Sequence, residues 1–118
     1  MEADQLKQRT KKFSLNVMEY IEALPTSNVT SVLSRQLLRS ATSVGANYRA
    51  ACRARSKADF ISKIGIVEEE ADEAAYWLEL FLEANTFDGK RVKNLLAEAN
   101  ELVAIFTASG RTAKRGIG

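Results

Sequence analysis

The stretch from Ser56 to Phe81, SKADFISKIGIVEEEADEAAYWLELF, decides the fold. Apolar or small residues recur at Phe60, Ile64, Val67, Ala71, Ala74, Leu78 and Phe81, alternating spacings of four and three without a miss. That period is the seam of a helix in contact with partners along its whole length. Ser56, followed three residues later by Asp59, has the form of a capping box with Asp in place of the usual Glu or Gln, so the helix is expected to start there. It should run to about Asn85.

Working outward, the chain reads as helices on both sides. Leu6, Phe13, Val17, Tyr20 and Leu24 mark an amphipathic helix over about Gln5 to Leu24, which Pro25 stops. Thr26, Ser27, Asn28 and Thr30 offer caps for a second helix to about Arg53, with a seam at Val29, Leu33, Leu37, Ser40, Val44, Asn47 and Ala51. Beyond a turn at Asp88 and Gly89, the stripe Val92, Leu95, Ala99, Leu102 and Phe106 forms a fourth helix expected to stop before Gly110. Residues 1–5 read as a short polar extension, and residues 111–118, with Arg111, Lys114 and Arg115, as a basic tail. Connections this short make consecutive helices antiparallel. The expected fold is all-α, an antiparallel up-down-up-down four-helix bundle forming one domain over residues 1–118.

Composition agrees and narrows the chemistry. A chain of 118 residues buries about two-thirds of its extended surface in one core, exposing about 6,300 Å². One proline and six glycines leave little punctuation for a β or α/β fold. With no histidine and a single cysteine, Cys52, the chain lacks an internal disulfide, imidazole acid–base catalysis and the usual zinc ligands. No apolar run approaches the roughly 20 residues that cross a bilayer, and Met1 to Lys12 has no signal-peptide core, so a soluble, cytoplasmic protein is expected. The formal charge of +2 hides a division: residues 35–63 carry seven bases against Asp59, and residues 64–88 carry eight acids and no base. On neighbouring helices much of that charge is complementary.

Some polar residues fall among apolar ones. Glu69, Asp72, Glu79 and Glu83 share the solvent side of the third helix, but Glu70 and Glu73 lie on a second stripe with Ile66, Trp77 and Leu80. On the second helix Arg39, Ser43 and Asn47 flank the seam. The turn near Arg55 sets an antiparallel register in which Arg39 falls level with the gap between Glu70 and Glu73, and one guanidinium can serve two carboxylates. Arg39, Ser43, Asn47, Glu70 and Glu73 are therefore expected to form a buried polar network, either within the chain or across a subunit interface. No catalytic, cofactor or metal residue is assigned: Glu70 and Glu73 have the spacing of a di-iron Glu-x-x-His motif with Glu where His belongs.

Three motifs in order carry a resemblance: Arg39-Ser-Ala-Thr-Ser-Val-Gly-Ala-Asn-Tyr-Arg49, then Ser56-x-x-Asp59-Phe60, then Glu70-Ala-x-Glu73-x-x-Tyr76-Trp77-Leu78. Over roughly residues 13–106 the chain resembles the bacterial four-helix-bundle family named for proteins encoded in intervening sequences of 23S ribosomal RNA genes. That family is in turn similar to the accessory variability proteins of diversity-generating retroelements. One departure is Ala50, where relatives with this motif carry Glu after Tyr-Arg. The resemblance implies a non-enzymatic bundle that assembles into a homopentamer and, for the retroelement relatives, binds a reverse transcriptase and nucleic acid.

Two functions are therefore expected to compete: an oligomeric scaffold that associates with RNA or a nucleic-acid enzyme, and a purely structural self-assembling or protein-binding module. Contact with nucleic acid would run through Arg49, Arg53, Arg55 and Lys57 with Arg111, Lys114 and Arg115. Ile66, Trp77 and Leu80 are the candidate oligomer interface. No cofactor, membrane or small-molecule substrate is expected.

Overall fold

Residues 2–116 of the computed structural model are described, and they form four α-helices: α1 (Ala3–Glu22), α2 (Asn28–Cys52), α3 (Lys57–Glu83) and α4 (Gly89–Arg115). Each of the last three starts where a side chain takes up an orphan backbone N–H. Ser27 Oγ accepts from Thr30 N at 3.0 Å, Ser56 Oγ from Asp59 N at 3.0 Å and Asp88 Oδ1 from Arg91 N at 3.3 Å. The capping box at Ser56 is only half made. Asp59 accepts from Arg55 N rather than Ser56 N and holds Lys63 at 2.7 Å.

In cross-section the helices form a four-sided ring in chain order: α3 lies along α2 and α4, α1 closes the ring against the same two, and the diagonal pairs meet through core side chains such as Tyr20 with Phe81 and Tyr48 with Phe106. The rod measures 49 × 22 × 20 Å. Its core is continuous, with Phe13, Val17 and Tyr20 from α1, Leu37 and Val44 from α2, Ile64, Leu78 and Phe81 from α3, and Leu102 and Phe106 from α4. The five-residue seam expected for α4 is buried throughout, and in α3 only Phe60 is less than fully buried.

Several boundaries differ from the sequence reading. The polar extension of residues 1–5 is largely helix, because α1 starts at Ala3 to bring Leu6 into the core at 5% exposure. α4 does not stop before Gly110; that glycine faces Ile64, and the helix continues to Arg115. The expected basic tail is thus mostly helical, with residues 117 and 118 outside the described part. Along α2, Val29 is 58% exposed and Asn47 half-buried, while Ala41 and Tyr48 are buried in the core. Tyr48 lies against Phe106 with ring centroids 5.2 Å apart, so an aromatic contact sets which side of α2 turns inward.

Candidate interaction surfaces

Arg39 joins both carboxylates opposite it. Its Nη1 lies 3.3 Å from Glu70 Oε2 and its Nη2 lies 2.8 Å from Glu73 Oε2. Glu73 also accepts from Trp77 Nε1 at 3.4 Å. Burial works to raise the Glu73 carboxyl, but the hydrogen bonds from Arg39 and Trp77 outweigh it and hold its pKa below the ordinary value. The cluster is only partly buried: the Arg39 side chain is 55% exposed and lies over the outer surface of the α2–α3 contact, whereas those of Glu70 and Glu73 are 15% and 33% exposed. Ser43 and Asn47 stand apart from it. Asn47 Nδ2 donates to the Ser43 backbone carbonyl at 2.8 Å, which ties α2 to itself.

A better-shielded bridge joins α1 to α4. Arg9 Nε and Nη2 donate to the two oxygens of Glu98 at 2.7 and 2.6 Å, and Glu101 lies 3.1 Å from the same Nη2. Both the Arg9 and Glu98 side chains are about three-quarters covered. The Glu98 hydrogen bonds raise the guanidinium pKa further above its ordinary value. Spacing along one helix carries no signal for this pair, since α1 and α4 are the first and last elements.

The residues expected to contact nucleic acid fall at one end of the bundle, where α2 and α4 finish and α3 begins. Arg49, Arg53, Arg55, Arg111, Lys114 and Arg115 are exposed there, whereas Lys57 Nζ donates to the Gly116 carbonyl at 2.9 Å. Sequence periodicity missed the continuation of this basic surface along α1. Lys7 and Lys11 join Arg49 in lining a groove between α1 and α2, which Gly45 and Ala46 also line. On the α2–α3 side, Ile66 is 42% exposed, Trp77 is half-buried against the core and Leu80 is half-buried. Val29, Val32 and Tyr76 add exposed apolar surface to those two helices.

The interior offers little chemistry. Burial, and then a hydrogen bond with Cys52, push the Tyr48 phenol well above its ordinary pKa, so it stays protonated. Burial likewise raises Tyr20, whose hydroxyl donates to the Phe87 carbonyl at 2.8 Å. Among the described residues no group of three or more Asp, Glu or Cys side chains is placed to hold a metal ion. No helix among them is long and apolar enough to cross a membrane.

These features define a helical-bundle protein that presents charged and apolar surfaces. The chain belongs to the 23S rRNA-intervening sequence protein family, whose model matches residues 2–108. It is similar to the crystal structure of a protein of unknown function from the S23 ribosomal protein family of Bacteroides thetaiotaomicron VPI-5482. The two share 31% sequence identity over 94% of this chain and 99% of that one, with a TM-score of 0.83. No curated protein matches the chain.

Proposed function

We propose that the protein is a non-enzymatic, self-associating helical scaffold of the cytoplasm, assembled as a pentamer. The observation that carries this reading is the apolar surface left in water by a core that is already complete. Leu15, Met18, Val29, Val32, Leu38, Ile66, Tyr76 and Phe87 are each more than a third exposed. The chain exposes 7058 Å², against about 6,300 Å² for a typical monomer of its mass. Several of these residues group by helix face, as a covered surface requires and scattered apolar residues do not. Light scattering coupled to size exclusion tests it: an assembly several times 13.0 kDa supports the scaffold, and a single species of 13.0 kDa at every concentration sinks it.

The exposed cations at one bundle end favour a second role, association with RNA or with a reverse-transcriptase-like enzyme on nucleic acid. Repetition of a weak basic patch around an assembly would supply affinity through multiple contacts. Titration of a labelled structured RNA, at low and then high salt, separates this role from a purely structural scaffold, since phosphate contacts weaken steeply with salt.

A further inference from the structure

Two grooves on opposite sides of the rod are matched in position and opposed in charge. The groove between α1 and α2 has a volume of about 380 Å³ and is lined by Lys7, Lys11 and Arg49 with no acid. The groove between α3 and α4 has a volume of about 370 Å³ and is lined by Glu68, Glu69 and Asp72 with no base. A glycine lines each one. A Cβ on Gly45 would lie 3.2 Å from Thr10 Oγ1, so the missing side chain lets α1 and α2 approach closely, while a Cβ on Gly65 would meet open space.

The grooves are also level. Arg39 bridges Glu70 and Glu73, which fixes how α2 and α3 align. Six residues on from Arg39 is Gly45; six residues back from Glu70 and Glu73 are Ile64 and Val67, which bracket Gly65. Because α1–α2 and α3–α4 are opposite sides of the four-sided ring, the basic groove and the acidic groove face away from each other at one height across a rod about 20 Å wide.

Their charges are not used internally. Among the described residues Lys11, Arg49, Glu69 and Asp72 have no oppositely charged side chain within 4.0 Å, and Lys7 has only Asp4 at 4.0 Å, itself 93% exposed. Apolar groups continue both faces away from the grooves. Leu15, Met18 and Leu38 extend the α1–α2 face, at 52%, 44% and 37% exposure. On α3, Glu69, Asp72, Tyr76, Glu79 and Glu83 form one outer stripe at spacings of three and four, and Tyr76 is 53% exposed in its middle. The contacts of α1 with α2 and the Arg39 register place Met18 within about a turn of the height of Tyr76.

We propose that the occupant of the basic α1–α2 groove is a second copy of this chain, which seats there the α3 ridge carrying Glu69 and Asp72, with the two rods side by side and parallel. Lys7, Lys11 and Arg49 face the acids of the neighbour, and Leu15, Met18 and Leu38 face its Tyr76. The pairing uses two different faces of each copy, so every copy that accepts a neighbour offers the same acidic ridge onward. Equal height means no net rise from copy to copy, and a heterologous contact without rise closes into a ring where the rotation between neighbours divides a full turn. Charge complementarity supplies alignment and encounter rate, while the apolar contacts beside it supply the hydrophobic part of the attraction. This interface rests on the scaffold reading and names the surfaces through which the scaffold forms.

Wild type, K11E/R49E, E69K/D72K and the variant carrying all four changes are compared by light scattering at about 0.1 M and about 1 M salt, between which the screening length falls from about 10 to about 3 Å. All four positions lie on the helix surface, and circular dichroism checks that each variant is folded. The expected result is a wild-type assembly that loosens at high salt, two monomeric double variants, assembly regained by the quadruple variant, and only alternating, even-numbered complexes on mixing the two doubles. Wild type that assembles, with both double variants keeping its mass, overturns this interface and leaves the scaffold standing. A monomeric wild type overturns both. If K11E/R49E keeps the wild-type mass but loses binding of a labelled RNA hairpin, the groove belongs to nucleic acid, and the proposed pairing is wrong.

Discussion

Gly45 and Gly65 are the same residue in opposite surroundings, and their substitutions should separate. Alanine in place of a mid-helix glycine gains about 1 kcal/mol of helix propensity. At Gly65 nothing opposes that gain, so Gly65→Ala is expected to raise Tm by a few degrees; at Gly45 the new methyl presses on Thr10, and Gly45→Ala should gain less or lose stability. Thermal melts of the two variants at matched concentration check this difference. The two arginine bridges separate in the same way. Arg9→Met removes a bidentate, mostly covered partner of Glu98 and should cost about 1 kcal/mol, whereas Arg39→Met removes a half-exposed guanidinium and should cost less, even though the Glu70 and Glu73 carboxylates it leaves are 15% and 33% exposed. What Glu73 does contribute has a defined pH window. Its folded pKa is depressed, so the contribution is complete above the ordinary carboxyl value and is lost as pH falls through the folded value. Melts of wild type and Glu73→Gln should therefore differ at neutral pH and converge once the pH has fallen through the depressed folded value. The Arg39 contact was legible because one short turn sets the α2–α3 register. Its exposure was not, because spacing fixes which residues are level and not how far a long side chain swings outward. Arg9 with Glu98 left no trace in the sequence, since no hairpin relates α1 to α4.

At the scale of single elements, the end of α3 shows a local rule satisfied by an uncommon residue. Thr86 N donates to Phe81 O and Asn85 N to Leu82 O, the two bonds of a Schellman motif, with Asn85 at φ 51° in the position that usually holds glycine. Asn85→Gly should stabilise by up to about 1 kcal/mol, and Asn85→Val should destabilise by at least as much, because a β-branched side chain resists the left-handed conformation. Urea unfolding with a shared m-value measures both. How legible each helix was follows from the contrast between its faces. α4 sets large apolar residues against Lys, Glu and Asn, and its five-residue seam is the one that is buried. The middle of α2, from Ser40 to Ala51, is small or weakly polar on every side, so Asn47 and its neighbour Tyr48 were equally eligible to face inward. Packing of Tyr48 on Phe106 decided between them, and that contact is tertiary. The continuation of α4 past Gly110 has the same origin. A Cβ on Gly110 would meet Ile64 at an ordinary 3.6 Å, so the packed face of α4 continues through the glycine and does not end there.

For the molecule as a whole, an assembly of folded copies must couple to folding, which makes stability depend on concentration. A partner that binds only the folded chain at about 100 times its Kd adds about 2.7 kcal/mol. On a domain of this length that is about 10 °C in Tm. If copies join through the basic and acidic grooves, Tm should rise between about 1 and about 100 micromolar protein at about 0.1 M salt, and the rise should shrink at about 1 M, where exposed charges are screened. An assembly held by the apolar α2–α3 surface alone predicts a different pattern. Burial of Val32 and Ile66 is not weakened by salt, so the concentration dependence would persist or grow when the added salt is a sulfate. Calorimetric scans across both variables distinguish the two surfaces without any substitution. A Tm independent of concentration at both salt levels would mean that neither surface is covered by another copy and that the bundle folds as a monomer.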